Sequence, residues 1–587
     1  LHLAAQRLVD QCNAAGGDWS LAPAGSAALP GDLVVTLGDA TGQAQGYHLD
    51  LPAAGPPRLI GDDSAGLFYG LTTLRQLVRQ YGCQPPAMTI RDWPDFTQRG
   101  VMLDVSRDKI PTLATLEQLI DELAGWKVNH LQLYLEHTFA YRHHREVWAQ
   151  ASPYTAAEIQ QLDAFCRARF IELVPNQNGF GHMERWLRHP RYRALAECPE
   201  GYTTPGGERR PPSTLAPREP GSRALLAELY SELVPNFTSR RVHIGGDEAW
   251  ELGQGRSQAA LATEGLAGLY LGWLHQMREL PALQGRELHY WGDMVWNHFA
   301  DRLADLPRDL VQVDWGYYRN YPFADHGAKL AAAGMPFWFA PGTSTWCTLL
   351  GCNEAGLGSN RSAAIAGLAH GAGGLLNTDW GDRGHWQYLP VSLLPFAAGA
   401  AIAWGHAQNP DERLLAALDV QVCGDRAGVM GATTKALADT WSLVAENCTQ
   451  ANYLDRLLRG GLRQDLPAGM TVATLDATLA HLAACETRLA DAHLNRPDAA
   501  LLLDEFRNGL RMARHACHLG RWLRLGETES HRATLADELT LIIAEHQRLW
   551  LARNRPGGLD DSLAVLRQRL AEYRGEQVVS SNALTGG

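Results

Sequence analysis

His243-Ile244-Gly245-Gly246-Asp247-Glu248 is an apolar, strand-like approach that ends in two glycines and two adjacent carboxylates. Two carboxyl groups a few ångströms apart resist ionising together, so one tends to keep a proton near neutral pH while its neighbour stays anionic. Acid-catalysed bond cleavage needs that arrangement. The glycines let the backbone turn sharply and come close to a ligand. Taken alone, the hexapeptide reads equally well as a strand-to-helix loop with Asp247 as helix N-cap. Its surroundings have to decide.

Outward from it, the stretch is the fourth of eight short apolar runs, at 100–105, 130–135, 171–175, 241–244, 287–291, 310–314, 336–340 and 374–378. Each is followed by a segment with helical patterning, such as 113–126 after the first run and 156–169 after the second. Alternation of this kind predicts a parallel sheet with crossover helices. Eight units predict an α/β fold of the (β/α)8 TIM-barrel type. Active sites of that fold lie at the C-terminal ends of the strands. The residues just after the runs are Arg107, then Glu136 and His137, then Asn176, Asn178 and His182, then Asp247 and Glu248. They continue with Trp291 and Asp293, Trp315 and Tyr317, Trp346, and finally Asp379, Trp380 and Asp382. Tryptophans and carboxylates at so many corresponding ends predict a functional cleft rather than solvated loops. In and beside this set, Asp104 is expected to partner Arg99 or Arg107, Asp293 to hold a loop, and Trp315 and Trp386 to pack.

The barrel is expected over 93–408, between two other parts. Residues 1–92 read as a small N-terminal α/β domain: an opening helix, strands at 32–37 and 47–51, a helix over 65–81, and a stop at Pro85-Pro86. Residues 409–587 read as a C-terminal helical region. There Leu503, Phe506, Leu510, Ala513 and Cys517 have the 3-4 spacing of a buried helix stripe, which predicts a bundle packed on the barrel or a homodimer surface. Pro556-Gly557-Gly558 breaks the helices within 553–559, a segment that the sequence does not place relative to the cleft, and 580–587 reads as a loose tail.

Composition narrows the function classes. The 587 residues, 45% hydrophobic and 20% charged, have room for two or three globular domains. A net charge of -12 without a Lys/Arg block argues against nucleic acid and against an anionic membrane surface, and favours a neutral or cationic ligand. The longest apolar stretch, 393–404, is too short to span a bilayer. No signal-peptide pattern opens the chain, which leans toward the cytoplasm, although the start at Leu1 leaves a removed leader open. Ten cysteines without a CxxC pair suggest buried free thiols rather than a zinc site or a disulfide framework, with Cys347 and Cys352 close enough to pair. Many of the 18 tryptophans fall between Trp291 and Trp404. A flat indole packs well on the C–H face of a sugar, so a carbohydrate ligand fits.

At this point the motifs resemble glycoside hydrolase family 20, the β-N-acetylhexosaminidases, over roughly residues 30–405. The most specific element is His243-x-Gly-Gly-Asp247-Glu248. Supporting ones are Arg99-Gly-Val-Met-Leu-Asp-Val-Ser-Arg107, Gly181-His182, Trp380-Gly-Asp382, and the helix Tyr69-Gly-Leu-Thr-Thr-Leu-Arg-Gln-Leu77. The resemblance implies substrate-assisted retaining hydrolysis of a terminal β-linked N-acetylhexosamine (GlcNAc or GalNAc) on a glycan, without metal or other cofactor. It implies Glu248 as general acid and then base, and Asp247 as the group that orients the 2-acetamido group. It further implies Arg107 and Asp382 on the sugar hydroxyls, and Trp291, Trp346 and Trp380 as walls. Three features depart from the family pattern. Glu136 and Asn178 stand where an acidic relay partner of His182 is usual. No tyrosine is evident within Gly342-Thr-Ser-Thr-Trp346, which leaves Tyr317 as the candidate for the acetamido oxygen. Asp382 is one methylene shorter than the usual Glu. Two rival readings stay open: a barrel glycosidase whose nucleophile is Asp293, Asp379 or Asp382, and a non-catalytic sugar-binding barrel.

Overall fold

The computed structural model describes residues 1–23, 25–29, 31–204, 206–444, 453–462, 464–526 and 529–576, so the tail expected at 580–587 lies outside the described residues. The N-terminal sheet has four strands, β1 (Val34–Leu37), β2 (Tyr47–Leu51), β3 (Arg58–Gly61) and β4 (Met88–Asp92), in the order β1-β3-β2-β4. β1 runs parallel to β3, while β2 is antiparallel to both β3 and β4. Helix Ser64–Tyr81 starts where the Asp63 carboxylate accepts the Gly66 amide. It covers the sheet with Leu67, Phe68, Leu71 and Leu74, all buried. β3 and β4 were not expected. They are four and five residues long, and β4 buries none of its positions fully, so neither carries a period long enough to read.

All eight expected barrel strands form. They are β5 (Arg99–Asp104), β6 (His130–Leu135), β7 (Glu172–Gln177), β10 (Arg241–His243), β11 (Glu287–Trp291), β12 (Leu310–Trp315), β13 (Phe337–Ala340) and β14 (Leu375–Asp379), every neighbouring pair parallel. A short hairpin, β8 (Tyr202–Thr203) and β9 (Arg209–Arg210), lies in the long connection after β7. The barrel closes where His243 of β10 pairs with Asn176 of β7. Every residue of β5 and β6 is buried, as expected for strands covered by helices outside and side chains within. Crossover helices such as Leu113–Gly125, capped by Thr112, and Ala156–Arg167, with a Thr155/Glu158 capping box, return the chain to the N-terminal end. All connections therefore place their strand-to-helix loops on one rim.

Beyond the barrel, helices Val472–Ala490, Ala499–Leu525, Glu529–Arg553 and Leu559–Arg574 pack in sequence, and Ala499–Leu525 also packs on the barrel helix Leu389–Gly405. Phe506, Leu510, Ala513 and Cys517 are buried, as the stripe predicted. Among the described residues no helix is long and apolar enough to cross a membrane. Cys347 and Cys352 do not pair with each other: Cys347 is free and Cys352 is disulfide-bonded.

Candidate active site

The loop after β10 is built by steric exclusion. Gly245 and Gly246 have φ of 75° and 101°, and a Cβ on Gly245 would overlap the Asn178 side chain. Glu248 itself sits at φ 47°, an unfavourable region for a non-glycine residue. Hydrogen bonds hold this backbone: the Trp291 amide donates to the Gly245 carbonyl at 3.0 Å, the Asp293 carboxyl accepts the Glu248 amide at 3.0 Å, and Tyr270 Oη donates to the Gly246 carbonyl at 2.9 Å. The expectation that Asp293 holds a loop is met, and the loop is the one that carries the acids.

The acid pair is asymmetric. Asp247 is buried, with 9% of its side chain exposed, whereas 39% of the Glu248 side chain is exposed. His182 Nε2 lies between them, 3.2 Å from Asp247 Oδ2 and 3.4 Å from Glu248 Oε2. Asn178 Nδ2 donates to Asp247 Oδ1 at 2.9 Å and to Tyr134 Oη at 3.2 Å. Burial pushes the Asp247 carboxyl up, but His182 and the Asn178 amide outweigh it and hold the group below its ordinary value. Burial likewise opposes the charge on His182, and the Asp247 carboxylate overrides it, raising the imidazole well above its usual range. Asp247 and His182 therefore form an ion pair. Asp293 is shifted the other way: its carboxyl is pushed up to about 8 by burial and then by the neighbouring Asp247 charge.

Arg107 is the second focus. Its guanidinium lies 3.1 Å from Asp104 Oδ2, 3.4 Å from Glu136 Oε1 and 3.6 Å from Asp382 Oδ1, with the rings of Tyr134 and Trp380 each 4.9 Å away. Asp104 thus partners Arg107, while Arg99 points away and donates to the Lys127 and Phe96 carbonyls. Glu136 does not serve His182 directly. Its Oε1 accepts Tyr134 Oη at 3.0 Å and faces Arg107, and Arg107 Nη2 is in turn 3.4 Å from His182 Nδ1. The expected carboxylate–histidine relay is not formed: the Glu136 amide donates to Ser106 Oγ beyond β5, its carboxylate pairs with Arg107, and the guanidinium charge opposes that of the adjacent imidazolium.

Beneath these polar groups lies an aromatic floor. Trp291, Tyr317, Trp346 and Trp380 are buried in one cluster with Tyr134, Met102 and Cys347. Trp380 Nε1 donates to Tyr317 Oη at 2.8 Å, Tyr317 stands edge-on to Trp346 at 4.9 Å, and Trp315 stacks on Tyr317 at 5.2 Å while donating to Asp293. Of the residues read at the strand ends, Arg107, Glu136, Asn178, His182, Asp247, Glu248, Trp291, Tyr317, Trp346, Trp380 and Asp382 fall in this network or its floor, whereas Asn176 donates to Gln132 and Asp379 accepts from Thr343, Thr345 and Ser392. Tyr134 was missed although its hydroxyl joins Glu136 to Asn178. Its signal was available: it occupies an inward register of β6 next to the rim, two residues from Gln132, another buried polar group.

Acids of unequal exposure, a guanidinium beside them and an indole-lined floor thus share one rim of a (β/α)8 barrel. The family model "Glycosyl hydrolase family 20, catalytic domain" matches residues 96–349, and "Glycosyl hydrolase family 20, domain 2" matches 3–93. The chain belongs to glycosyl hydrolase family 20. A beta-hexosaminidase of Akkermansia muciniphila is 30% identical over 252 residues, 38% of this chain and 50% of that protein. A lacto-N-biosidase of Bifidobacterium bifidum is 24% identical over 301 residues, 48% of this chain and 25% of that protein. The chain thus spans half or less of the length of these two curated relatives. Among solved structures, an inactive mutant of a Vibrio harveyi exo β-N-acetylglucosaminidase superposes with a TM-score of 0.56 at 17% identity, covering 74% of this chain and 72% of that one. Flavobacterium johnsoniae chitobiase superposes at 0.54 and 18% identity, over 94% and 84%. At these identities the structural likeness speaks to the fold.

Proposed function

We propose that this protein releases terminal β-linked N-acetylhexosamine from glycans by exo-acting, substrate-assisted retaining hydrolysis. The observation that carries the reading is the unequal exposure of the two acids around one histidine. Glu248 faces the open cleft, where a glycosidic oxygen would lie. Asp247 is buried and anionic beside the aromatic floor, where an acetamido group would sit with its methyl on indole and its N–H on the carboxylate.

The electron movements follow from that placement. The acetamido carbonyl oxygen attacks C1 as the C1–O bond to the leaving group breaks, and Glu248 delivers its proton to the departing oxygen. Positive charge develops on the acetamido nitrogen of the oxazolinium ion, where the preformed Asp247 charge stabilises it. Water then adds to C1, loses a proton to Glu248, and reopens the ring. Arg107, fixed by three carboxylates and two rings, presents its remaining N–H groups to sugar hydroxyls beside Asp382. Asp293 is engaged with the Glu248 amide, and Asp379 lies under three hydroxyl donors, which disfavours either as a nucleophile.

The test is hydrolysis of an aryl β-N-acetylglucosaminide with a thiazoline analogue of the oxazolinium ion as inhibitor. Turnover indifferent to the thiazoline defeats the mechanism. Sugar binding without any turnover points to a binding barrel instead.

A further inference from the structure

The C-terminal helices that follow the barrel lie outside the catalytic-domain match, yet one short stretch of them reaches the catalytic rim. Asn554 forms an antiparallel bridge with Pro111, the Thr112 amide donates to the Arg553 carbonyl at 2.9 Å, and the Arg555 amide donates to the Ile110 carbonyl at 2.8 Å. The chain that leaves Arg107 therefore runs as a strand partner of 553–555. That partner is rigidly held: Arg553 is buried and donates to Glu505 at 2.8 Å and to Asp498 at 2.9 Å. The stretch next turns through Gly558, at φ 78°, so close to Asp108 that any Cβ there would overlap the Asp108 carbonyl.

Further contacts tie the stretch to the loops that carry His182 and Asp382. Asp561 lies 3.0 Å from Arg185, three residues past His182, and Arg185 lies 3.1 Å from Asp108, the residue after Arg107. On the other side, the Ser562 carbonyl accepts Trp386 Nε1 at 2.9 Å and its hydroxyl donates to the Gly384 carbonyl, in the loop that follows Asp382. Arg107, His182 and Asp382 meet at the sugar-reading face, and all three of their loops are joined by ten residues of the C-terminal region.

We propose that 553–562 positions Arg107: the Asp108–Arg185–Asp561 bridge and the Gly558 contact set the guanidinium against His182 and Asp382, so that the C-terminal region is part of the substrate site. The inference rests on the reading of Arg107 as the sugar-hydroxyl ligand. Asp561 and Arg185 are partly exposed, so Asp561→Asn folds with an unchanged melting temperature. It raises KM for the aryl substrate about 10-fold with kcat nearly unchanged, and Asp561→Glu restores it. Gly558→Ala displaces the Asp108 loop and lowers kcat/KM about 100-fold. Combined with Arg107→Lys, the Asp561→Asn loss is smaller than the product of the single losses, since both act through one group. Multiplicative losses, or a fall in kcat that tracks a fall in melting temperature, overturn the proposal. Two further measurements separate it from the proposed activity. The Kd of N-acetylglucosamine should follow the KM series even if no glycoside is cleaved. Amide exchange over 105–112 and 382–386, which needs no ligand, should quicken about 10-fold in Asp561→Asn. Unchanged protection there refutes the positioning role.

Discussion

Asp247 and Asp379 stand at the C-terminal ends of barrel strands on opposite sides of the ring, one after β10 and one closing β14, and their surroundings make them different groups. Asp379 Oδ1 accepts hydrogen bonds from Thr343, Thr345 and Ser392, all neutral, and burial raises its carboxyl in spite of them. Asp247 is also buried, but it faces the His182 imidazolium and the Asn178 amide and stays ionised. Position at a strand end is therefore insufficient for chemistry. What separates the two is a charged partner and a neighbour, Glu248, that opens to the cleft. Around Asp379 the hydroxyl donors do not offset burial, whereas around Asp247 the His182 charge together with the Asn178 amide does.

That contrast can be broken from either side. The largest effect is expected for Glu248→Gln, which should lower kcat about 10²–10⁴-fold on substrates with poor leaving groups. It should do so much less for an activated aryl glycoside, and a plot of rate against leaving-group pKa shows the difference. Asp247→Asn should cost about 10²–10³-fold in kcat and weaken thiazoline binding by a comparable factor. If both substitutions leave the thiazoline Kd unchanged, the division of roles between the two acids is wrong. Arg107→Lys should raise KM about 10–100-fold, the value of a lost charged, forked hydrogen bond. Asp379→Asn is the counter-test. It keeps an acceptor for the three hydroxyls, so kcat/KM should stay within about 3-fold and stability should fall by only about 1 kcal/mol.

Asp293 sharpens the comparison through pH. Its folded carboxyl is raised from 3.8 to about 8, so the native state binds its proton more tightly than the unfolded chain. Stability from this group is complete below pH 4 and is lost as pH rises toward 8. Asp293→Asn removes that loss, so its melting temperature relative to the parent should climb between pH 4 and 8. The slope should not exceed about 1.4 kcal/mol per unit. A flat difference across that range would mean that Asp293 is ionised throughout.

Legibility followed burial. Barrel strands covered on both faces need apolar residues throughout, which is why all eight runs stood out, while β3 and β4, short and half exposed, did not. Site residues at strand ends were legible because the fold assigns them one rim. Their pairing was not. Glu136 was expected to serve His182 and instead meets Arg107, since adjacent strands about 5 Å apart bring several long side chains within reach of each other, and packing chooses among them. The role of Pro556-Gly557-Gly558 was equally hidden. A helix break is visible in sequence, but its landing on Asp108 comes from a contact between residues about 450 positions apart.

The sequence by itself determined the barrel, its acid pair and its family, because periodic burial and a glycine-bounded carboxylate pair are local properties. Tertiary structure alone decided that the Asp247 carboxyl is held low and that of Asp293 pushed up, and that Glu136 pairs with Arg107 rather than with His182. Those properties depend on electrostatic fields and contacts that exist only once distant loops share one low-dielectric rim.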